Sequence, residues 1–299
     1  KKTRILDGGM GQELLAKGLI SKGTLWSTSA ILDEKFHQLL IDVHTSFINA
    51  GANVIVTNNF SSRKVRLIQN KVEDKFEYVN KKACELANKA REISKKNILI
   101  AGSLPPQNGT YVVDERGINI IKKDFKEQAE IIKPYVDFFY LDVISSAKEV
   151  EAACEVTEKM NVPVLVGLHL KKNGKIASGE TVTEIVKKYK TSNWIGLIGA
   201  CVSLEIIDNS SKEMSDLDIP FGFKANLWNV EEPLPLHKFN RSKFNEVGKN
   251  PNDTMGRRDE ITGEIFYNFA KRIKEKGANI LGGCCNINPE HIKSISSLK

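Results

Sequence analysis

The chain has 299 residues, 41% hydrophobic and 27% charged, with a net charge of +7. That length and balance suit one large core, and no run approaches the ~20 apolar residues of a membrane span. The excess lysines fall in scattered pairs such as Lys81-Lys82, Lys122-Lys123 and Lys187-Lys188, without interleaved aromatics; this reads as a solvated surface and excludes a nucleic-acid track. Eight short apolar runs then read as strands in chain order: 4–6, 53–57, 98–101, 138–141, 162–168, 194–201, 221–225 and 279–281. Several are apolar almost throughout, as strands buried on both faces are. Helical spacing separates them. Leu39, Leu40, Val43 and Phe47 recur before the second run, and Val79, Ala83, Leu86 and Ala90 before the third. Ile265, Phe266, Phe269 and Ile273 recur before the eighth, with Gly277 as a helix stop.

Eight strands alternating with helices at this length predict a single (β/α)8 TIM barrel over 1–299, of the α/β class. The irregular stretch from 226 to about 260 follows the seventh strand and is expected to fold over the barrel mouth. The segment Lys1 to Asp7 does not read as a signal peptide. Five spread-out cysteines, an odd number, suggest no disulfide framework and a reduced, cytoplasmic setting. With one helix after the eighth strand, a monomer or small homo-oligomer is expected.

Barrel active sites lie at the C-terminal ends of the strands. The polar residues at those ends are Asp7-Gly8-Gly9, Asn58, Ser103, Asp142, His169, Cys201, Asn226 and Cys284-Cys285. Cys201 and the Cys-Cys pair, 83 positions apart, would converge on one mouth. Three thiolates with one open place form the pattern of a catalytic zinc. Cys84 and Cys154 fall mid-helix beside alanines and read as packing residues. Gly282 and Gly283 are expected to let a ligand and metal approach the strand end.

The motifs Asp7 to Leu14, Leu25-Trp26-Ser27, His44 through Ala52, Thr57-Asn58, Leu104-Pro105-Pro106, Ser178-Gly179-Glu180 and Gly282 to Cys285 with Pro289 to Ile292 resemble the homocysteine S-methyltransferase family. The resemblance implies that Cys201, Cys284 and Cys285 bind Zn2+ and that homocysteine sulfur takes the fourth place and is methylated. It implies homocysteine contacts from Asp7, Gly8 and Gly9. Asp142 stands where the family usually has a glutamate for the homocysteine amino group, one methylene shorter. Ala200 departs from the asparagine often found before the strand-six cysteine.

A thiol of pKa ~8.5 is a poor nucleophile at neutral pH until a metal deprotonates it. A methyl carbon then transfers readily from a sulfonium or quaternary ammonium centre, so the partners are L-homocysteine and a small cationic donor such as betaine or S-methylmethionine. Trp26 is the first candidate for a donor wall. Phe60, Trp228 and Tyr111 are further ones, and Asn58 joins the substrate contacts. His169 either orients a carboxylate or is a satisfied barrel-end histidine, and His291 caps or packs. Two other readings compete: a zinc- or thiol-binding barrel without turnover, and a metal-free lyase or aldolase using a lysine such as Lys224.

Overall fold

The computed structural model describes residues 2–299; Lys1, the first residue of the assigned domain range, lies outside them. Eight parallel strands form one sheet: β1 (Arg4–Ile5), β2 (Val54–Val56), β3 (Leu99–Leu104), β4 (Phe138–Ile144), β5 (Val164–Leu168), β6 (Trp194–Val202), β7 (Phe221–Ala225) and β8 (Ile280–Gly283). Their order is β1-β8-β7-β6-β5-β4-β3-β2. A bridge between Leu6 and Val54, with Asn53 N–H donating to Ile5 O at 2.8 Å, closes the ring between β1 and β2. The architecture is the eight-stranded barrel expected from the runs.

The helices are α1 (Met10–Ala16), α2 (Ser29–Leu32), α3 (His37–Ala50), α4 (Lys64–Gln69), α5 (Phe76–Ser94), α6 (Ile118–Ile132), α7 (Ala147–Lys159), α8 (Val182–Tyr189) and α9 (Leu204–Ser215). They continue with α10 (Leu236–Phe239), α11 (Asn252–Met255), α12 (Gly263–Glu275) and α13 (Pro289–Ile295). The amphipathic stripes do what their period dictates. Val79, Ala83, Leu86, Ala87 and Ala90 of α5, and Phe266, Phe269 and Ile273 of α12, are buried. Alternate strand residues fill two cores. Ile55, Ile100, Phe139 and Phe223 face the helices, whereas Leu6, Val54, Tyr140, Leu165, Ile198 and Ile280 fill the barrel. Cys84 and Cys154 are buried in the outer core, as packing residues should be.

Four strands run further than their apolar runs: β3 to Leu104, β4 to Ile144, β6 to Val202 and β8 to Gly283. Register shifts interrupt β4 between Leu141 and Ile144 and β6 between Ala200 and Val202. Val143 and Cys201 sit inside these bulges with φ of 69° and 54°. A left-handed backbone is costly for a β-branched valine, and such strain gathers at functional sites. Each bulge turns a strand end so that Asp142 or Cys201 faces the mouth.

The stretch after β7 carries α10 and α11 and does reach the mouth. It is tied to the β1–α2 loop by the Lys22–Val247 bridge, by Gly23 N–H to Glu246 O and by Gly248 N–H to Ser21 O, both 2.9 Å.

Candidate metal centre and substrate cavity

Cys201 is the penultimate residue of β6, and Cys284 and Cys285 follow β8 across the barrel mouth. Cys201 Sγ lies 3.6 Å from Cys285 Sγ, and Cys284 Sγ lies 3.9 Å from Cys285 Sγ. All three sulfurs lie within 4.8 Å of one another. A tetrahedral ion with Zn–S bonds of about 2.3 Å needs sulfurs about 3.8 Å apart, so the donor set fits that ion in both chemistry and spacing. The backbone holds the cluster: Cys284 N–H donates to Ala225 O at 2.7 Å, and Asn226 Nδ2 donates to Cys201 O at 2.6 Å. Asn226 had been placed at the strand-seven end without a role; its amide braces the cysteine bulge.

The electrostatics favour ionised sulfur at Cys201. Burial opposes its charge, but hydrogen bonds from Cys284, Cys285 and Tyr111 outweigh burial and hold its thiol well below the ordinary range. Tyr111 Oη lies 3.2 Å from Cys201 Sγ. Burial, then the neighbouring thiolate charge, pushes the Tyr111 hydroxyl up, so the tyrosine keeps its proton and donates it to sulfur. Tyr111 is therefore more than a donor-wall candidate. Its ring also packs on His169 at 4.5 Å between centroids. His169 Nδ1 is 3.2 Å from Ala200 O, which is the satisfied barrel-end histidine and not a carboxylate orienter. His291 caps α13 with Asn288 and reaches Ile261 O at 2.8 Å.

One cavity joins these groups. Asp7, Gly8, Gly9, Trp26, Asn58, Phe60, Tyr111, Asp142, Trp228 and all three cysteines line it, whereas Ser103, His169 and Asn226, also placed at strand ends, do not. Leu236, Phe239, Pro251 and Met255 of the long loop cover it.

The first strand carries a surprise. Asp7 Oδ1 accepts from Lys224 Nζ at 2.6 Å, and Asp7 Oδ2 accepts from Val56 N–H at 2.8 Å. Burial pushes the Asp7 carboxyl up, partly offset by Lys224. Burial also works against the Lys224 charge, but Asp7 and Cys284 outweigh it and raise its pKa. A lysine held as an ammonium in this way is no Schiff-base nucleophile, which removes the aldolase reading. Asp142 Oδ2 accepts from Ser103 Oγ at 2.9 Å, and burial raises its carboxyl to about 6.

The glycines serve the protein's own packing. A Cβ on Gly283 would lie 2.1 Å from Ile287 Cγ2, and one on Gly282 would lie 2.6 Å from Leu6 Cβ. The expectation that they make room for ligand and metal is corrected: the turn after β8 and the first strand occupy that space. Gly9 does the same against Cys284 O at 2.6 Å. A Cβ on Gly11 would meet Trp26 Nε1 at 2.0 Å, so the Trp26 indole lies flat on α1. Trp26 itself is held at φ 53°. Gly11→Ala is expected to displace that indole, shift tryptophan emission and cost about 1–3 kcal/mol of stability through overpacking. An unchanged emission spectrum would show that the indole does not depend on this glycine.

Fold and cluster together define an α/β barrel whose mouth carries a three-cysteine site able to hold a metal ion. Sequence comparison narrows the class. The sequence model of the family described as Homocysteine S-methyltransferase matches residues 4–298, and the chain belongs to that family. The S-methylmethionine–homocysteine S-methyltransferase BHMT2 of Pongo abelii is 28% identical over 298 residues, covering 97% of this chain and 76% of the relative. Betaine–homocysteine S-methyltransferase 1 of Bos taurus is 25% identical over 300 residues, covering 97% of this chain and 70% of the relative. The crystal structure of the homocysteine methyltransferase MmuM from Escherichia coli in its metallated form matches with TM-score 0.79 at 18% identity, covering 100% of this chain and 97% of that one. At that identity the structural likeness bears on the fold alone.

Proposed function

We propose that this protein is a zinc-dependent homocysteine S-methyltransferase, transferring a methyl group from a small cationic donor to the thiol of L-homocysteine and giving methionine. The observation that carries the reading is the three-sulfur cluster at tetrahedral spacing inside a cavity that also holds two carboxylates and aromatic walls. We assign residues 1–299 to one homocysteine-binding barrel domain, with Cys201, Cys284 and Cys285 as the zinc ligands. A zinc ion there would supply a Lewis acid that keeps an added thiol deprotonated at neutral pH.

The chain's own residues do the rest. Asp142, with Asp7 on the neighbouring side, is suited to hold the substrate ammonium, while Gly8 and Gly9 border the same end of the cavity. Asp142 accepts from Ser103 Oγ at 2.9 Å and lines the cavity. Trp26, Phe60 and Trp228 offer ring faces to the donor's positive centre. Tyr111 donates to Cys201 and limits the charge on that sulfur. The covering loop keeps bulk water from the methyl carbon. As the acceptor sulfur forms its bond to that carbon, the electron pair of the breaking C–S or C–N bond leaves with the neutral donor product. Five unbridged cysteines support a reducing, cytoplasmic compartment, and among the described residues no helix is long and apolar enough to cross a membrane.

The direct test measures methionine formed from homocysteine by zinc-loaded protein, with betaine, S-methylmethionine and dimethylsulfoniopropionate at equal concentration. Zinc bound without methylation by any of them would favour the binding-protein reading. A pH series tests the carboxylate. Asp142 ionises at about 6, so the charged form that holds an ammonium dominates above pH 6 and is lost below it. The KM for homocysteine should rise about tenfold from pH 7 to pH 5, and Asp142→Asn should show a high, flat KM. A flat wild-type KM over that range would remove Asp142 from the ammonium contact.

A further inference from the structure

β2 stops at Val56, opposite Ala101, whereas β3 runs on to Leu104. Ser103 therefore has no strand beside it on that edge, and side chains take the strand's place. Thr57 Oγ1 accepts from Ser103 N–H at 3.0 Å, and Asn59 Nδ2 donates to Ser103 O at 3.0 Å. The two side chains are themselves joined, Thr57 Oγ1 donating to Asn59 Oδ1 at 2.6 Å. Held in this way, Ser103 reaches across to β4, where its Oγ donates to Asp142 Oδ2 at 2.9 Å.

Asn59 is anchored from behind. Its Nδ2 also donates to Asn80 Oδ1, on α5, at 3.0 Å. The same Asn80 oxygen accepts from Gln128 Nε2 of α6 at 2.9 Å, and Asn80 Nδ2 donates to Ser62 O at 3.0 Å and to Phe76 O at 2.8 Å. All four hydrogen-bonding positions of that amide are used. Asn59, Asn80 and Gln128 are each 0% exposed and stand behind the cavity wall rather than in it. Elsewhere α5 and α6 pack with apolar side chains such as Ala83, Leu86 and Phe125. Buried amides are a costly way to fill such a layer, but a fully satisfied network of them is rigid. What this network holds still is the serine that touches the Asp142 carboxylate.

We infer that Asn59 is a positioning residue: by fixing Ser103 it aims the Asp142 carboxylate at the acceptor's ammonium, and so sets how strongly the enzyme prefers an amino-acid thiol to the same thiol without its amino group. The inference rests on the methyltransferase reading and its Asp142 contact, and adds a residue outside the cavity that governs acceptor selectivity.

Titration calorimetry on zinc-loaded protein, with no methyl donor present, tests it by comparing L-homocysteine with 4-mercaptobutanoate. The second ligand keeps the thiol and the carboxylate and lacks the ammonium. A charge-assisted contact predicts that wild type binds homocysteine on the order of 100-fold more tightly. In Asn59→Ala that ratio should fall about tenfold, through weaker homocysteine binding, while 4-mercaptobutanoate affinity changes by less than about twofold. Ser103→Ala, which removes only the hydroxyl, should lower the ratio at least as far. The double variant N59A/S103A should fall no further than S103A, because both changes act along one path. Equal weakening of the two ligands in N59A is what a structural role would give, and it would overturn the inference. So would a double variant in which the two losses add. Should N59A fail to fold, a wild-type ratio in S103A overturns the inference by itself, since the path runs through that hydroxyl. A wild-type ratio near one would take Asp142 off the ammonium and the inference with it. The reaction is read separately. If wild type forms no methionine with any donor, the methyltransferase reading fails, and a lowered ratio in N59A still upholds the positioning role. Methionine formed by wild type, with an unchanged ratio in N59A, would sink the positioning role alone.

Discussion

Cys201→Ala protein is expected to purify as a folded barrel with its metal content reduced from about one equivalent to a small fraction, and with methyl transfer down at least about a thousandfold. The two halves of that expectation have separate physical grounds. The substitution keeps Cβ, so the left-handed backbone at φ 54° is no more strained than before. The lost sulfur costs on the order of 1 kcal/mol of burial. The metal site fares worse, because two thiols and water bind zinc far more weakly than three thiolates. Cys201 is also the thiol that its neighbours hold ionised, so the variant loses the sulfur already poised to bind. Metal analysis by mass spectrometry and far-ultraviolet circular dichroism check both halves. Full stoichiometric metal in the variant would break the ligand assignment.

Lys224→Met is expected to destabilise the protein by about 3–5 kcal/mol, among the largest effects of any single change outside the hydrophobic core. The pair it breaks is 5% and 2% exposed and closes at 2.6 Å. Removing the ammonium leaves the Asp7 carboxylate buried, with only Val56 N–H from the backbone as a partner. Asp7→Asn with Lys224→Met removes both charges and should recover much of the loss. Urea unfolding of the two single variants and the double variant measures the coupling. Simple additivity would show that the charges do not depend on one another.

The sequence and the structure divide this protein in a physically sensible way. Hydrophobic period made the barrel legible, because residues buried on both faces of a strand leave an unbroken apolar run. The boundaries were less legible. Runs ended at 141 and 201, yet β4 and β6 continue through Asp142 and past Cys201, because a polar residue facing the mouth ends the apolar signal without ending the hydrogen-bond ladder. The cysteines were legible as soft ligands at two strand ends, and the barrel brought them to 3.6 Å and 3.9 Å.

Lys224 and Arg63 were not legible. In a chain with 44 basic residues, a charge in sequence reads as a solvated one. Lys224 is buried where barrel closure sets it against Asp7, and Arg63 where the segment after β3 brings Pro106 and Thr110 onto it. The glycines show the same limit: sequence marks where a side chain cannot stand, and only the fold names what stands there, Ile287 against Gly283 and Trp26 against Gly11. By itself, then, the sequence determined the barrel, the three cysteines that meet at its mouth and the family, because these rest on local period and on residue types at strand ends. The tertiary structure alone decided which charges are paired and which side chains share one cavity, because burial is a property of what closes over a residue.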